Sequence, residues 1–444
     1  MVWYRLCAAA LAGALLAPLP ARAATYTMDE AVRQALESNP GVESSRQSVD
    51  AAESGRKAAR SSFGPSVSST YSYTRYNEDR PSRHEHNAYA WSVGASQPLF
   101  TGFNLLNTYQ KAALQKDNQV LQLDNTRLNI VAQVQAQFLA YLKAQENIRS
   151  TERSLERARA QLALARASYN VGARPRLDVL QAELDVTRTE ATLIQNENAR
   201  DIYRAQLNTL LNLPVDAPTD YVGDLQTVPF DLGLEECLEL AFRQRPDLLM
   251  AQKSVEIAEK DLGITRSSFY PKLSAAFNWS TSGSRADAAG SRYSPTGYSE
   301  WQAGLTATWD LFTSGKRWFN TKQAASQIAA LEAQLQAAFN DSAYEVKSYL
   351  LNAQDAKRMI AVAERSVASA QESYNDAKMR YELQLGTNLD LLTAQSDLAT
   401  AELSLISAKT DYLTALSRLY VAIGEIHPGL DRQGEPAVRP ASAD

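Results

Sequence analysis

The sequence predicts a mainly α-helical chain made of two tandem copies, each carrying one pair of β-strands. Three observations lead there. The stretch RSSFGPSVSS at Arg60 returns 206 residues later as RSSFYPKLSA at Arg266. Runs free of Pro and Gly extend from Leu105 to Tyr169 and from Lys316 to Tyr381. Between each hexapeptide and the run that follows it, apolar residues recur with a period of two, the period of a strand.

Residues 1–24 stand apart. One early Arg precedes an apolar stretch from about Leu6 to Leu19, and small residues at Ala21 and Ala23 flank an A-x-A cut, which predicts a cleaved secretory signal peptide. A membrane anchor needs roughly 20 apolar residues, and Pro18, Pro20 and Arg22 interrupt this one. Cys7 leaves with the signal, so Cys237 remains as a lone thiol and no internal disulfide is expected.

The first copy is expected over 25–212 and the second over 230–424, with a Pro/Asp/Gly-rich connector at 213–229 and a polar tail at 425–444. Each opens on a helix, 29–60 in the first, that ends before Phe63 and Pro65. The offset between copies is 206 up to the hexapeptides and 212 beyond them, where Leu99-Phe100-Thr101 meets Leu311-Phe312-Thr313, and Tyr169 meets Tyr381.

Strand pairs follow, at about 66–100 and 272–312. Val67, Tyr71, Tyr73, Trp91 and Val93 alternate with Ser, Thr, Ala and Gly; Leu273, Phe277, Trp279, Trp301, Leu305, Trp309 and Leu311 do so in the second copy. Alternation alone fits a soluble sandwich with an aromatic core, or an outer-membrane barrel with aromatics toward lipid and small polar residues toward water. Four strands cannot close a barrel by themselves, so either the sheet is a small patch or several chains share it.

The two long runs are rich in Gln, Ala, Arg, Leu and Glu, all good helix formers. Their length corresponds to on the order of 95 Å of helix. In the second, Val346, Tyr349, Ala353, Ala356, Ile360, Ala363 and onward to Tyr381 repeat by three and four; subtracting 212 gives Val134, Tyr141, Ala144, Ile148 and onward to Tyr169 in the same register. A sustained heptad means coiled-coil packing. Return helices are expected at about 178–212 and 389–423.

Signal peptide, tandem copies, strand pairs and heptad helices of this length together resemble the TolC family of outer-membrane efflux and secretion channels. The local motifs are Phe63/Pro65 and Phe269/Pro271 before the first strand, Leu99 to Gly102 and Leu311 to Gly315 after the second, and Tyr169, Gly172 and Leu177 to Leu180 at the helix turn. The resemblance implies a homotrimer in which four strands per chain form a shared 12-strand membrane β-barrel, continued by a long periplasmic α-helical coiled-coil tunnel. It implies Trp91, Trp279, Trp301, Leu305 and Trp309 on the lipid face, and helix turns that meet a periplasmic adaptor at Gly172 and Gly386, with an inner-membrane transporter of ABC, RND or MFS type behind it. It also implies a periplasmic gate: Asp390 matches the first aspartate of the family's ring, while Thr393 stands where a second is found. Asp178 and Tyr381 match a tyrosine–aspartate link, and Gly386 replaces a basic residue that some members carry. From the residues alone, capping of helices by Asp390 and Asp178 remains the alternative reading.

No catalytic constellation appears, and no cofactor is expected: there is no P-loop, no HExxH and no dinucleotide fingerprint. His84-Glu85-His86 sits in a polar hairpin loop and reads as a solvated cluster rather than a metal site, and Cys237 as a small packed residue. The net charge of −5 with scattered basic residues argues against nucleic acid. Two functions remain open: a passive trimeric exit duct of a tripartite pump or type I secretion system, or a periplasmic coiled-coil structural or adhesive protein without a membrane barrel.

Overall fold

The structure, a computed structural model, describes residues 24–77, 86–230, 232–288 and 298–425. The signal peptide, His84 with Glu85, and the tail beyond Glu425 lie outside them.

A short strand β1 (Thr25–Tyr26) leads into helix α1 (Met28–Ser38). Thr27 and Glu30 form its capping box, the Thr27 N–H donating to Glu30 Oε2 at 2.9 Å. The helix expected over 29–60 is two helices, because Asn39 precedes Pro40 and the proline ring bars it from the α region; its ψ is 126°. Pro40 then starts α2 (Pro40–Ser61), and the Asn39 side chain accepts from the Gly41 N–H at 2.8 Å. Strands β2 (Ser66–Arg75) and β3 (Asn87–Phe100), long helix α3 (Asn104–Asn170) and return helix α4 (Arg176–Leu210) follow. After β4 (Asp220–Tyr221) the order runs α5 (Leu234–Gln244), α6 (Pro246–Arg266), β5 (Lys272–Gly283), β6 (Tyr298–Thr308), α7 (Lys316–Glu382) and α8 (Asn388–Ala422). Helices α3 and α7 are each 67 residues, about 100 Å.

The long strands form one antiparallel sheet in the order β2-β3-β5-β6. Directly paired residues share a face, so the register sorts the side chains. Tyr71, Trp91, Thr281 and Ser299 form one row; Ser69, Val93, Trp279 and Trp301 the next; Val67, Ala95, Phe277 and Ala303 the third. The other face carries Thr70, Ser92, Ser280 and Glu300, then Ser68, Gly94, Asn278 and Gln302. The expected division into an aromatic and a small polar face holds across all four strands. Strand β6 ends at Thr308, however, so Trp309 and Leu311 fall beyond it. Lys272 is the last residue available to pair, because Pro271 has no N–H to continue the ladder.

The helices pack pairwise, α3 against α4 and α7 against α8, with α3 also against α8. Heptad residues Val134, Tyr141, Ala144, Ile148, Val346, Ala353, Ile360 and Ala363 are buried. The segment 213–229 is more than a connector. Its β4 pairs in parallel with β1, and fully buried Tyr221 packs edge-on against Phe138 and Tyr141, with centroids 5.8 and 5.3 Å away. Asn208 Oδ1 accepts from the Tyr221 hydroxyl at 2.8 Å, and Asp220 from the Tyr141 hydroxyl at 2.9 Å. Among the described residues no helix is long and apolar enough to cross a membrane.

Candidate functional site

Two short turns close the ends of the long helices. In the α3–α4 turn Gly172 takes φ +74°, its N–H donating to Tyr169 O at 2.9 Å, and Ala173 N donates to Ser168 O at 2.9 Å. In the α7–α8 turn Gln384 takes φ +63°, with N–H to Tyr381 O at 3.1 Å, and Leu385 N donates to Arg380 O at 2.8 Å. The two turns share one hydrogen-bond pattern at an offset of 212. By that offset Gly172 corresponds to Gln384, and Gly386 to Arg174. Gly386 does not adopt a positive φ; a Cβ there would stand 3.2 Å from the Arg380 Cβ.

The turns are joined by side chains from both halves of the chain. Arg174 Nη2 donates to Gly386 O at 3.0 Å and to Tyr381 O at 3.4 Å, and its guanidinium lies 4.6 Å from the Tyr381 ring centroid. Buried Asn388 accepts from Gln161 Nε2 at 2.8 Å and donates to Asp178 O at 3.3 Å and Gln181 Oε1 at 3.1 Å. One heptad further along, Gln395 Nε2 donates to Asp185 Oδ2 at 3.1 Å. Burial pushes the Asp185 carboxyl up, against the pull of Arg188.

The four expected gate residues divide. Asp178 and Tyr381 come together in this seam, both less than a tenth exposed. Burial, and then the Asp178 charge, raise the Tyr381 phenol, but its hydroxyl makes no hydrogen bond of normal geometry. Asp390 and Thr393 are exposed on the first turns of α8. Asp390 completes a capping box, its Oδ2 accepting from Thr387 Oγ1 at 2.6 Å and Thr387 N at 3.0 Å. These bonds hold its carboxyl below the usual range. Asp178 lies in the first turn of α4, whose N-cap, Pro175, has no capping side chain, so only Asp390 is a cap of this kind.

On the aromatic face, Trp91 Nε1 donates to Ser69 Oγ at 2.9 Å and Trp279 Nε1 to Ser299 Oγ at 3.1 Å. Each indole N–H is thus satisfied by a neighbouring strand, as it must be wherever water is absent. Trp301 and Leu305 are about 70% exposed in the single chain. Trp309 donates to Phe269 O at 3.1 Å, anchoring the end of β6 to the turn before β5. Cys237 is fully buried on α5 among Ala241, Val346, Leu350 and Leu419. Among the described residues no group of three or more His, Cys, Asp or Glu is placed to hold a metal.

Arg174, Gln161 and Asn388 were not singled out by sequence. Arg174 had one available signal: by the 212 offset it is the counterpart of Gly386, the position where a basic residue is missed.

A family model described as outer membrane efflux protein matches residues 31–213 and 237–425. The chain belongs to the outer membrane efflux protein family. Among its relatives are the outer membrane protein TolC of Vibrio cholerae, 25% identical over 85% of this chain and 88% of that protein, and the alkaline protease secretion protein AprF of Pseudomonas aeruginosa, 23% identical over 87% and 82%. Among solved structures, the outer membrane channel CmeC of Campylobacter jejuni superposes with a TM-score of 0.79 at 18% identity, covering 89% of this chain and 85% of that one. A membrane protein from Pseudomonas aeruginosa gives 0.79 at 21% identity over 89% and 90%. This outer membrane efflux protein is therefore an outer-membrane channel with its long helices in the periplasm, and not an enzyme. A periplasmic adhesive protein without a membrane barrel is set aside.

Proposed function

We propose that this outer membrane efflux protein is the exit duct of a tripartite efflux pump or a type I secretion system, a passive homotrimer gated at its periplasmic helix turns. The observation that carries the reading is a four-stranded antiparallel sheet, apolar on one face, whose edge strands β2 and β6 have no second partner strand among the described residues. Three such sheets joined edge to edge make twelve strands, enough to close a barrel and remove every edge. Uncovered apolar stripes on the helices support the same assembly: Leu177, Leu180, Leu184 and Ile194 on α4, and Tyr344, Leu351, Met359 and Val362 on α7, are each 47% exposed or more. The two halves, 25–212 and 230–424, read as copies of one unit, since α3 matches α7 in length and α4 matches α8, at 35 residues each.

In the assembled duct Trp91, Trp279, Trp301 and Leu305 face lipid, while Ser92 and Gly304 face the lumen. The turns at Gly172 and Gly386 meet a periplasmic adaptor, through which the duct couples to an inner-membrane transporter of ABC, RND or MFS type. Asp178 and Tyr381 hold the closed helix ends, and Asp390 and Thr393 line the entrance. Recovery from the detergent-resistant outer-membrane fraction as a trimer that falls to monomers on heating tests the assembly. A monomer extracted without detergent refutes it.

A further inference from the structure

We propose that Arg174 is the pin that keeps the periplasmic end closed, a positioning residue that ties the α3–α4 turn to the α7–α8 turn within each chain; this rests on the gated-duct reading above. Arg174 is bracketed by Gly172, which turns the chain at φ +74°, and Pro175, whose ring fixes its own φ, so the side chain leaves a defined backbone. It forms no ion pair among the described residues. Its charge is directed instead at carbonyls and a ring.

The two carbonyls it reaches, Tyr381 O and Gly386 O, belong to the C-terminal end of α7 and the loop beyond it. There the helix leaves its last carbonyls without intrahelical donors and carries negative partial charge. The guanidinium adds a second donor to Tyr381 O, which already accepts from the Gln384 N–H, and reaches Gly386 O in the loop while lying over the Tyr381 ring. Tyr381 is buried under this contact. Drawing the turns apart breaks two charge-assisted bonds and uncovers the ring in one movement. No second arginine faces it across the joint, because the counterpart position is Gly386; from that side the neutral Asn388 reaches Asp178 O and Gln181. Arg174 thus supplies the charged contact of the joint, beside the neutral bonds of Asn388.

The test is the conductance of the purified trimer in planar lipid bilayers. Losing one charge-assisted hydrogen bond corresponds to at least about a tenfold change in an equilibrium, and Arg174→Ala loses two, so it should raise the open fraction by about tenfold or more over wild type. Arg174→Gln keeps the stem and guards against a packing failure, and should rise similarly; Arg174→Lys keeps a cation without the planar fork and should fall between. All three should retain the heat-labile trimer. Conductance of Arg174→Ala and Arg174→Gln equal to wild type, with Asp178→Ala open, would overturn the pin and leave the gate standing. A wild-type trimer already fully open, and unchanged in every variant, would overturn the gate and the pin together.

Discussion

Arginine at Ala303 and arginine at Gly304 put the same charge on adjacent residues of β6 but on opposite faces of the sheet. Ala303 pairs with Phe277 in the aromatic rows, and Gly304 with Ala276 on the small polar face. Counted from the Thr308–Lys272 pair, Ala303 is five residues up an 11-residue strand, the middle of the sheet. A cation on the lipid face at mid-depth costs roughly 2–4 kcal/mol. Three chains make that about 6–12 kcal/mol per trimer, comparable to the whole stability of an ordinary domain. Leu305 lies one row nearer the helices, so arginine there should cost less but still hinder assembly. A side chain at Gly304 meets nothing within 4 Å at its Cβ position, so arginine there extends from the small polar face without a clash. The measurement is the fraction of chain recovered from outer membranes as a heat-labile trimer on unboiled gels. Ala303→Arg should abolish the trimer band, Leu305→Arg should weaken it, and Gly304→Arg should leave it near wild type. Equal recovery of Ala303→Arg and Gly304→Arg would refute the assignment of the faces.

At the entrance, Asp390→Asn should lose block by a trivalent cation added from the periplasmic side, while Asp390→Glu, which can still reach Thr387, should keep it; block unchanged in Asp390→Asn confines Asp390 to helix capping. Because the Asp390 carboxyl is held below its usual range, its cap contributes above the ordinary carboxylate pKa and is lost as pH falls through the lowered value, so Asp390→Ala should lower the thermal midpoint at pH 7 and not at strongly acid pH. Asp185 has the opposite sign: burial raises its pKa, so its contribution is fully present only below the ordinary carboxylate pKa and is lost as pH rises. Asp185→Asn should therefore raise the midpoint at pH 7, give no gain near pH 4, and still accept from Gln395. Burial first, and the Asp220 bond second, push Tyr141 up to about 12, and burial pushes Tyr221 up to about 12. That packing is intact below about pH 10, the ordinary phenol value, and is lost as pH rises through about 12; ultraviolet titration should show phenols ionising together with loss of helix in that window, and Tyr141→Phe should narrow it.

Periodicity made the long elements readable. A heptad held from Val346 to Tyr381 or a two-residue alternation over about ten residues leaves few alternatives, and the sheet register sorted Trp91, Trp279, Trp301 and Leu305 onto one face as the alternation required. The break at Asn39–Pro40 was also written locally, in the restriction that proline places on the residue before it, and was overridden by the helical composition around it. Trp309 was assigned to β6 by continuing the alternation past the point where Pro271 ends the partner strand, a fact about β5 and not about β6. The β1–β4 pair joins Thr25 to Asp220 through two residues each, too short to leave any period. Arg174 is a different case. Its chemistry depends on carbonyls 207 and 212 residues away, and a carbonyl has no residue identity to read.

The junctions between helix and strand support the proposed assembly of several chains. Strands β3 and β5 are neighbours, so the turn after β3 meets the turn before β5 inside the chain. A Cβ on Gly102 would stand 2.6 Å from Ser267 O, Asn104 Nδ2 donates to Ser267 Oγ at 3.2 Å, and Phe103 sits between Phe100 and Tyr270 with centroids 5.5 and 5.9 Å away. The motif after one strand pair and the hexapeptide before the other are two parts of one joint. Strands β2 and β6 are the sheet edges, so the other two turns have no such neighbour among the described residues. There Phe312, the counterpart of Phe100 at the 212 offset, is 86% exposed, and the position of Gly102 is taken by Ser314, with φ +50°. In the trimer proposed above, the RSSFGP turn of the next chain would supply the missing half, brought up as β6 of one subunit pairs with β2 of another. The joint between chains then repeats the joint within a chain, with a serine where the internal one tolerates only glycine. In that assembly the same twin motif would serve once as the joint inside a chain and once as the seam between subunits.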